Sequence, residues 1–220
     1  YILSNIFIPI GNNNTAATQF NWVYDGTAPA MIGIIVDGTS ADIDWTNSTS
    51  NLTATWSGFS DTLSGIQKYE YAIGTSSGGT DVVDWTNNTT DTSVTKVGLT
   101  LTNGTTYYLS VRAADNVGNV STIVTSDGIT IDTDVPTISS VIEGSTTADI
   151  DYQNSDTTLI IVWTGSDTAS GIAQYEYALG TAAAASNTVA WTNAGTFTAD
   201  TLTGLSLTED STYYLSARAT

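Results

Sequence analysis

Polar and apolar residues alternate one by one through much of this chain. Leu52, Ala54 and Trp56 fall on one side of an extended segment, with Thr53, Thr55 and Ser57 on the other. Tyr107, Leu109, Val111 and Ala113 alternate with Tyr108, Ser110 and Arg112 in the same way. A period of two belongs to a strand with one buried face. Thr, Val, Tyr and Ile are abundant in these runs, while Gly, Asn, Asp and Ser cluster between them, as strand and turn chemistry require. No stretch sustains a helical period with caps, so the elements predicted are short strands throughout.

The pattern occurs twice. Pro29 and Pro136, 107 residues apart, head matching segments. Ala41-Asp-Ile-Asp-Trp45 returns as Ala148-Asp-Ile-Asp-Tyr152, and Trp56-Ser-Gly58 as Trp163-Thr-Gly165. The run from Ser64 to Thr75 returns from Ser170 to Thr181, and Trp85-Thr-Asn87 returns as Trp191-Thr-Asn193. Thr106-Tyr-Tyr-Leu-Ser-Val-Arg-Ala113 matches Thr212-Tyr-Tyr-Leu-Ser-Ala-Arg-Ala219. Order and spacing hold to within one residue, so one structural unit has been copied. Short strands separated by turns over about 100 residues point to a β-sandwich.

Trp56 late in the second strand, Tyr69-Glu-Tyr71 in the third, Gly98-Leu99 before Thr105–Ala113, and the Asp115-Asn-Val-Gly-Asn119 turn resemble the fibronectin type III pattern. The resemblance covers residues 25–220 and is specific for fold rather than activity. It implies an all-β chain of tandem Ig-like, fibronectin type III-like sandwiches with seven strands per repeat, of the kind arrayed in bacterial surface proteins. It also implies that Trp56, Trp163, Tyr107 and Tyr213 are core residues, the two tyrosines forming the tyrosine corner. On this basis residues 1–24 are the last strands of a preceding repeat or an exchanged strand segment. Residues 25–131 form one repeat, and residues 132–220 form a second that lacks its last strand. A missing edge exposes unpaired backbone groups. Either the chain continues, or the leading segment of a neighbouring molecule supplies the strand and joins copies head to tail.

Charge narrows the partners. The 220 residues hold 22 Asp and Glu against 4 Lys and Arg, a formal net charge of −18. That field repels phosphate backbones, so nucleic acid is not an expected partner. With 40% hydrophobic residues the acidity does not signal disorder. Histidine and cysteine are both absent. Their absence removes the usual general base, the thiol nucleophile, imidazole and thiolate metal sites, and disulfides. No run of about 20 apolar residues exists to insert into a membrane.

Three kinds of site remain as expectations. The first is calcium at the repeat junctions, with Asp25, Asp115, Asn116, Asn119, Asp132 and Asp134 as ligands. The Asp132-Thr-Asp-Val-Pro136 linker would meet the Asp115–Asn119 turn, because calcium takes six to eight hard oxygens. Solvated acidic linkers would look the same in sequence. Asp42 with Asp44, and Asp149 with Asp151, are a second acidic pair in each unit, read as exposed strand residues. The second site is for surface glycans. Trp45, Trp85 and Trp191 are flanked by polar residues, so each ring either stacks on a sugar or covers the edge of its own sandwich. The third is modification of the chain itself. Asn47, Asn51, Asn103 and Asn119 head Asn-x-Ser/Thr triplets, and Thr62, Thr168 and Thr201 sit in Asp-Thr-apolar triplets, although this composition generates such motifs readily.

Catalysis finds no support, since glycoside hydrolysis needs two carboxyls across a cleft. Glu70 and Glu176 have a plainer role as cross-strand partners of Arg112 and Arg218. The sequence therefore predicts a non-enzymatic structural or adhesive segment of a secreted or cell-surface protein. An accessory module of a secreted polysaccharide-degrading enzyme is the alternative.

Overall fold

The computed structural model describes residues 21–144 and 147–220, and every regular element among them is a strand. The first unit comprises β1 (Ala30–Met31), β2 (Ile35–Asp37), β3 (Trp45–Thr46), β4 (Asn51–Trp56), β5 (Phe59–Ser60) and β6 (Ile66–Gly74). It continues with β7 (Val83–Asn87), β8 (Ser93–Val97), β9 (Thr106–Asp115), β10 (Val124–Thr125) and β11 (Ile129–Ile131). The second unit comprises β12 (Thr137–Glu143), β13 (Thr158–Ser166), β14 (Tyr175–Gly180), β15 (Val189–Gly195), β16 (Ala199–Thr203) and β17 (Tyr214–Ala219).

Each unit is built on two main sheets, and the first adds a short antiparallel pair, β1 with β5. In the first, β2-β4-β8 forms one sheet, and the order β3-β11-β9-β6-β7 forms the other, with β10 also on β9. In the second, β12-β13-β16 faces β15-β14-β17. The registers are copies as well. Glu70, Tyr71 and Ile73 stand opposite Asn87, Thr86 and Val83, while Glu176, Tyr177 and Leu179 stand opposite Asn193, Thr192 and Val189. Both pairings slip at the same point, between the Tyr and the Ile or Leu. This is the all-β tandem sandwich expected from the alternation and the internal repeat.

Two separate apolar clusters hold the sheets together. Leu52, Ala54 and Trp56 of β4 meet Tyr69, Tyr71 and Ile73 of β6 and Tyr107, Leu109 and Val111 of β9. The second cluster gathers Leu159, Ile161 and Trp163 with Tyr175, Tyr177 and Leu179. Trp56 meets Tyr69 edge-on with ring centroids 5.9 Å apart, and Trp163 lies 5.5 Å from Tyr177. Neither tryptophan belongs to the other's cluster. Among the described residues neither buried indole N–H meets an acceptor, so these rings contribute through bulk and shape.

The tyrosine corner is present in both copies. The Tyr107 hydroxyl accepts the Thr102 N–H at 3.0 Å, and the Tyr213 hydroxyl accepts the Thr208 N–H at 2.9 Å. Each bond ties the loop before the strand to the strand that follows it. Gly65 and Gly171 occupy one turn position in the two units, at φ of +76° and +80°. A side chain is disfavoured there, which is why the Ser-Gly-Ile sequence recurs.

Candidate functional site

The six residues expected to bind calcium at the junction fall into two groups. Asp115 ends β9, and its Oδ1 accepts three backbone N–H groups, from Val117 at 2.9 Å, Gly118 at 2.7 Å and Asn119 at 2.8 Å. The Asn119 amide donates to Asp115 Oδ2 at 2.8 Å and to the Asp25 carbonyl at 3.3 Å. The Asn116 amide donates to the Ser64 carbonyl at 2.7 Å. This turn therefore closes against the start of its own repeat. Asp132 instead accepts the Ser170 N–H at 2.9 Å and the Asp134 N–H at 3.0 Å. Asp134 takes the Asn103 amide at 3.0 Å.

The linker 132–134 thus does not meet the 115–119 turn. Asn103 precedes β9 and Asp115 closes it, so the ten residues of β9 separate them by roughly 30 Å. The carboxylates that do converge are Asp25, Asp61 and Asp115, with one oxygen from each within 4.8 Å of the others. Asp61 has no local sequence signature as a ligand, although it returns at Asp167, and that repetition is the signal that could have found it.

This cluster is anchored by the protein's own donors. Asp61 Oδ1 accepts the N–H groups of Leu63, Ser64 and Gly65 at 3.1, 2.9 and 2.7 Å. Asp25 accepts from Thr27 at 3.0 Å and from Ser64 at 3.1 Å. The Thr27 and Ser64 bonds hold the Asp25 carboxyl below the usual Asp range, and nearby Asp115 opposes them. For Asp115, burial pushes upward, but the Asn119 side chain and the turn's N–H groups outweigh it, and the net shift is down. Asp132 is lowered mainly by Ser170. The Asp25–Ser64 latch recurs as Asp132–Ser170, so each repeat pins its entering chain to its own Ser-Gly turn.

A second acidic group was not legible in the sequence. Asp37 on β2 is 2% exposed and converges with Asp42 and Asp127. It accepts the Gly128 N–H at 3.2 Å, and its own N–H donates to Asp42 at 2.8 Å. Burial raises its carboxyl to about 6, with help from Asp42 and Asp127 and against the hydrogen bonds of Ser126 and Gly128. Asp42 is therefore a turn acceptor rather than half of a free acidic pair.

The three candidate sugar-stacking tryptophans differ. The Arg112 guanidinium lies 4.3 Å from the centre of the Trp85 ring, and Arg218 lies 4.3 Å from Trp191. The same arginines pair with Glu70 at 2.8 Å and Glu176 at 2.6 Å, as expected of the cross-strand positions. One face of each of these rings is thus taken by a cation. Trp45 is 39% exposed on β3. An open depression at Gly144, Ile150, Tyr152 and Asn154 has no carboxylate in its lining, and another at Asn193, Phe197 and Asp200 has one. Neither offers the facing acid pair that glycoside hydrolysis requires.

No family model matches the chain. No curated protein matches it. Among solved structures it is similar to the FN1–FN3 domains of chicken CNTN1, at 17% identity and a TM-score of 0.46, covering 87% of this chain and 60% of that one. It is also similar to chitinase ChiA74 from Bacillus thuringiensis, at 17% identity and a TM-score of 0.38, covering 90% of this chain and 28% of the chitinase. A third similarity is to the central fibronectin-III array of RIM-binding protein, at 14% identity and a TM-score of 0.30, covering 90% of this chain and 64% of that one. The chain therefore spans about 60% of the first of these structures and a smaller share of the second.

Proposed function

We propose that this chain is a spacer: a run of sandwich repeats that sets distance within a structural or adhesive protein at the cell surface or in a secreted filament. The observation that carries this reading is the recurrence of the latch, Asp25 to Ser64 and Asp132 to Ser170. A linker fastened to its own repeat by the same bond each time makes every joint alike, and alike joints build length in equal steps. The acidic surface and the lack of cysteine are compatible with an extracellular array held by packed cores alone.

Small-angle scattering of concatemers carrying one, two and four units tests this. The maximum dimension is expected to grow linearly, by roughly 35–40 Å per unit (about ten residues of strand plus loops). Growth with the square root of the number of units would mean freely hinged beads and would remove the spacer role.

Exposed Trp45 supports a second reading, as an accessory module that rests on polysaccharide. A ring that is exposed, rather than capped by arginine, can stack on a pyranose face. Retention on insoluble polysaccharide that Trp45→Ala abolishes, and Trp85→Ala does not, is the expected result of that reading. Equal retention of all three proteins would reject it.

A further inference from the structure

The linker at residues 132–134 is gripped from both sides. The Gly104 N–H donates to the Ile131 carbonyl at 2.8 Å, and the Ile131 N–H donates to the Thr105 carbonyl at 3.0 Å. The turn before β9 is thereby fixed to β11, the strand that runs into the linker. The Asp132 N–H adds a bond to the Thr46 carbonyl of β3 at 2.8 Å. Asn103, in that same turn, reaches further along the chain. Its Oδ1 accepts the Thr133 N–H at 2.9 Å, and its Nδ2 donates to Asp134 Oδ1 at 3.0 Å. From the other side, the Ser170 N–H of the second unit donates to Asp132 Oδ2 at 2.9 Å.

These grips interleave. The second unit engages the chain at Asp132, before the first unit releases it at Asp134. Asp132 belongs to both, its backbone bonded to β3 and its side chain to the Ser-Gly turn, and it is buried. Its Oδ1 also accepts the Asp134 N–H at 3.0 Å, closing the linker on itself. Beyond Asp134 only Val135 precedes Pro136, and β12 begins at Thr137. The proline ring fixes its own φ and keeps Val135 extended. A hinge needs residues free to change φ and ψ. Each residue from 132 to 136 is instead hydrogen-bonded or restricted by the proline.

We propose that the Asn103 side chain is the clamp that makes this joint rigid, fixing the second unit in one orientation on the first. The clamp needs an acceptor for the Thr133 N–H and a donor for the Asp134 carboxylate on neighbouring atoms, and an amide offers both. Turned over, the amide would set its NH2 against an N–H and its oxygen against a carboxylate, so one orientation alone serves. An aspartate at 103 would keep the acceptor and lose the donor. It would also set a second carboxylate against Asp134, in a chain whose net charge is already −18. Residues 133–135 would then be free to turn. The inference sharpens the spacer reading without resting on it. A rigid joint holds two units at a bend as firmly as in line, so the concatemer series can fail while this joint proves stiff.

Two spin labels on the 220-residue chain test this, since no native cysteine competes for them. Thr90→Cys and Thr196→Cys stand at equivalent exposed turns of the two units, and pulsed dipolar spectroscopy reads the spread of distances between the labels. A pair within the first unit, Thr90→Cys with Thr122→Cys, gives the spread due to the labels alone. The cross-unit spread is expected to match that control. Adding Asn103→Asp should broaden it well beyond the control. The melting transitions should stay in place, because Asn103 is exposed. Adding Asp134→Asn to that chain should narrow the spread again, since donor and acceptor have then exchanged places. A cross-unit spread broader than the control before Asn103 is changed overturns the proposal. So does an Asn103→Asp chain that stays narrow, or a double substitution that stays broad.

Discussion

Asp37 shows how a single side chain sets a pH response. Its carboxyl is buried and raised to about 6, against an ordinary value of 3.8, with desolvation as the leading cause. The folded state therefore holds a proton on Asp37 over a range where the unfolded chain has released it. Stability from this group is greatest below the unfolded value and is lost as pH rises through about 6. The buried charge therefore costs stability at neutral pH. Asp37→Asn retains an acceptor for the Gly128 N–H without the buried charge. The variant should melt above the wild type near neutral pH, with the gap closing as pH falls towards 4. A calorimetric series in which the two proteins track each other at every pH would contradict this. Nothing in the sequence marks Asp37, because the loop between β10 and β11, whose Gly128 N–H it accepts, lies 91 residues away.

At the scale of elements, the strands were legible and the loop geometry was not. Period-two alternation places Leu52, Ala54 and Trp56 inward whatever the rest of the chain does, because the pleat admits no other arrangement. The pairing of Glu70 with Arg112 follows from the neighbouring of two outward faces. Which end of the sandwich a loop occupies depends on how many strands intervene, and alternation carries no record of that. The Asp115 turn accordingly closes on Asp25 and Asp61, from three separate stretches of chain, instead of on the linker. Asp25 and Asp115 are held below the ordinary Asp range, chiefly by Thr27 and Ser64 for Asp25 and by Asn119 against burial for Asp115. Their contribution is thus present above the unfolded value and lost as pH falls through the folded one. Asp115→Asn should lower the melting temperature near neutral pH, with little effect in strong acid. Calcium should leave the wild-type melting temperature unchanged, since the oxygens that face the turns already accept N–H donors. A calcium-induced rise that Asp61→Asn cancels would instead place an ion among the three carboxylates.

For the whole molecule, the copying of one unit accounts for more than any single site does. Two cores with matched aromatic clusters, matched registers and matched tyrosine corners behave as separate cooperative units when each carries its own buried surface. Units of this kind can open one at a time, each with its own stability. Internal repetition also made the copying of one sandwich readable from sequence, because the same strand pairings recur in the same register.

Stretching a single chain from its two ends tests the central claim most directly. Two independent sandwiches predict two separate rupture events, each releasing roughly 300 Å of contour for about 90–100 residues at 3.3–3.6 Å apiece. Trp163→Ala should lower the force of one event while sparing the other. One event releasing the whole length at once, or a weakening of both events by that substitution, would show a shared core and contradict the account.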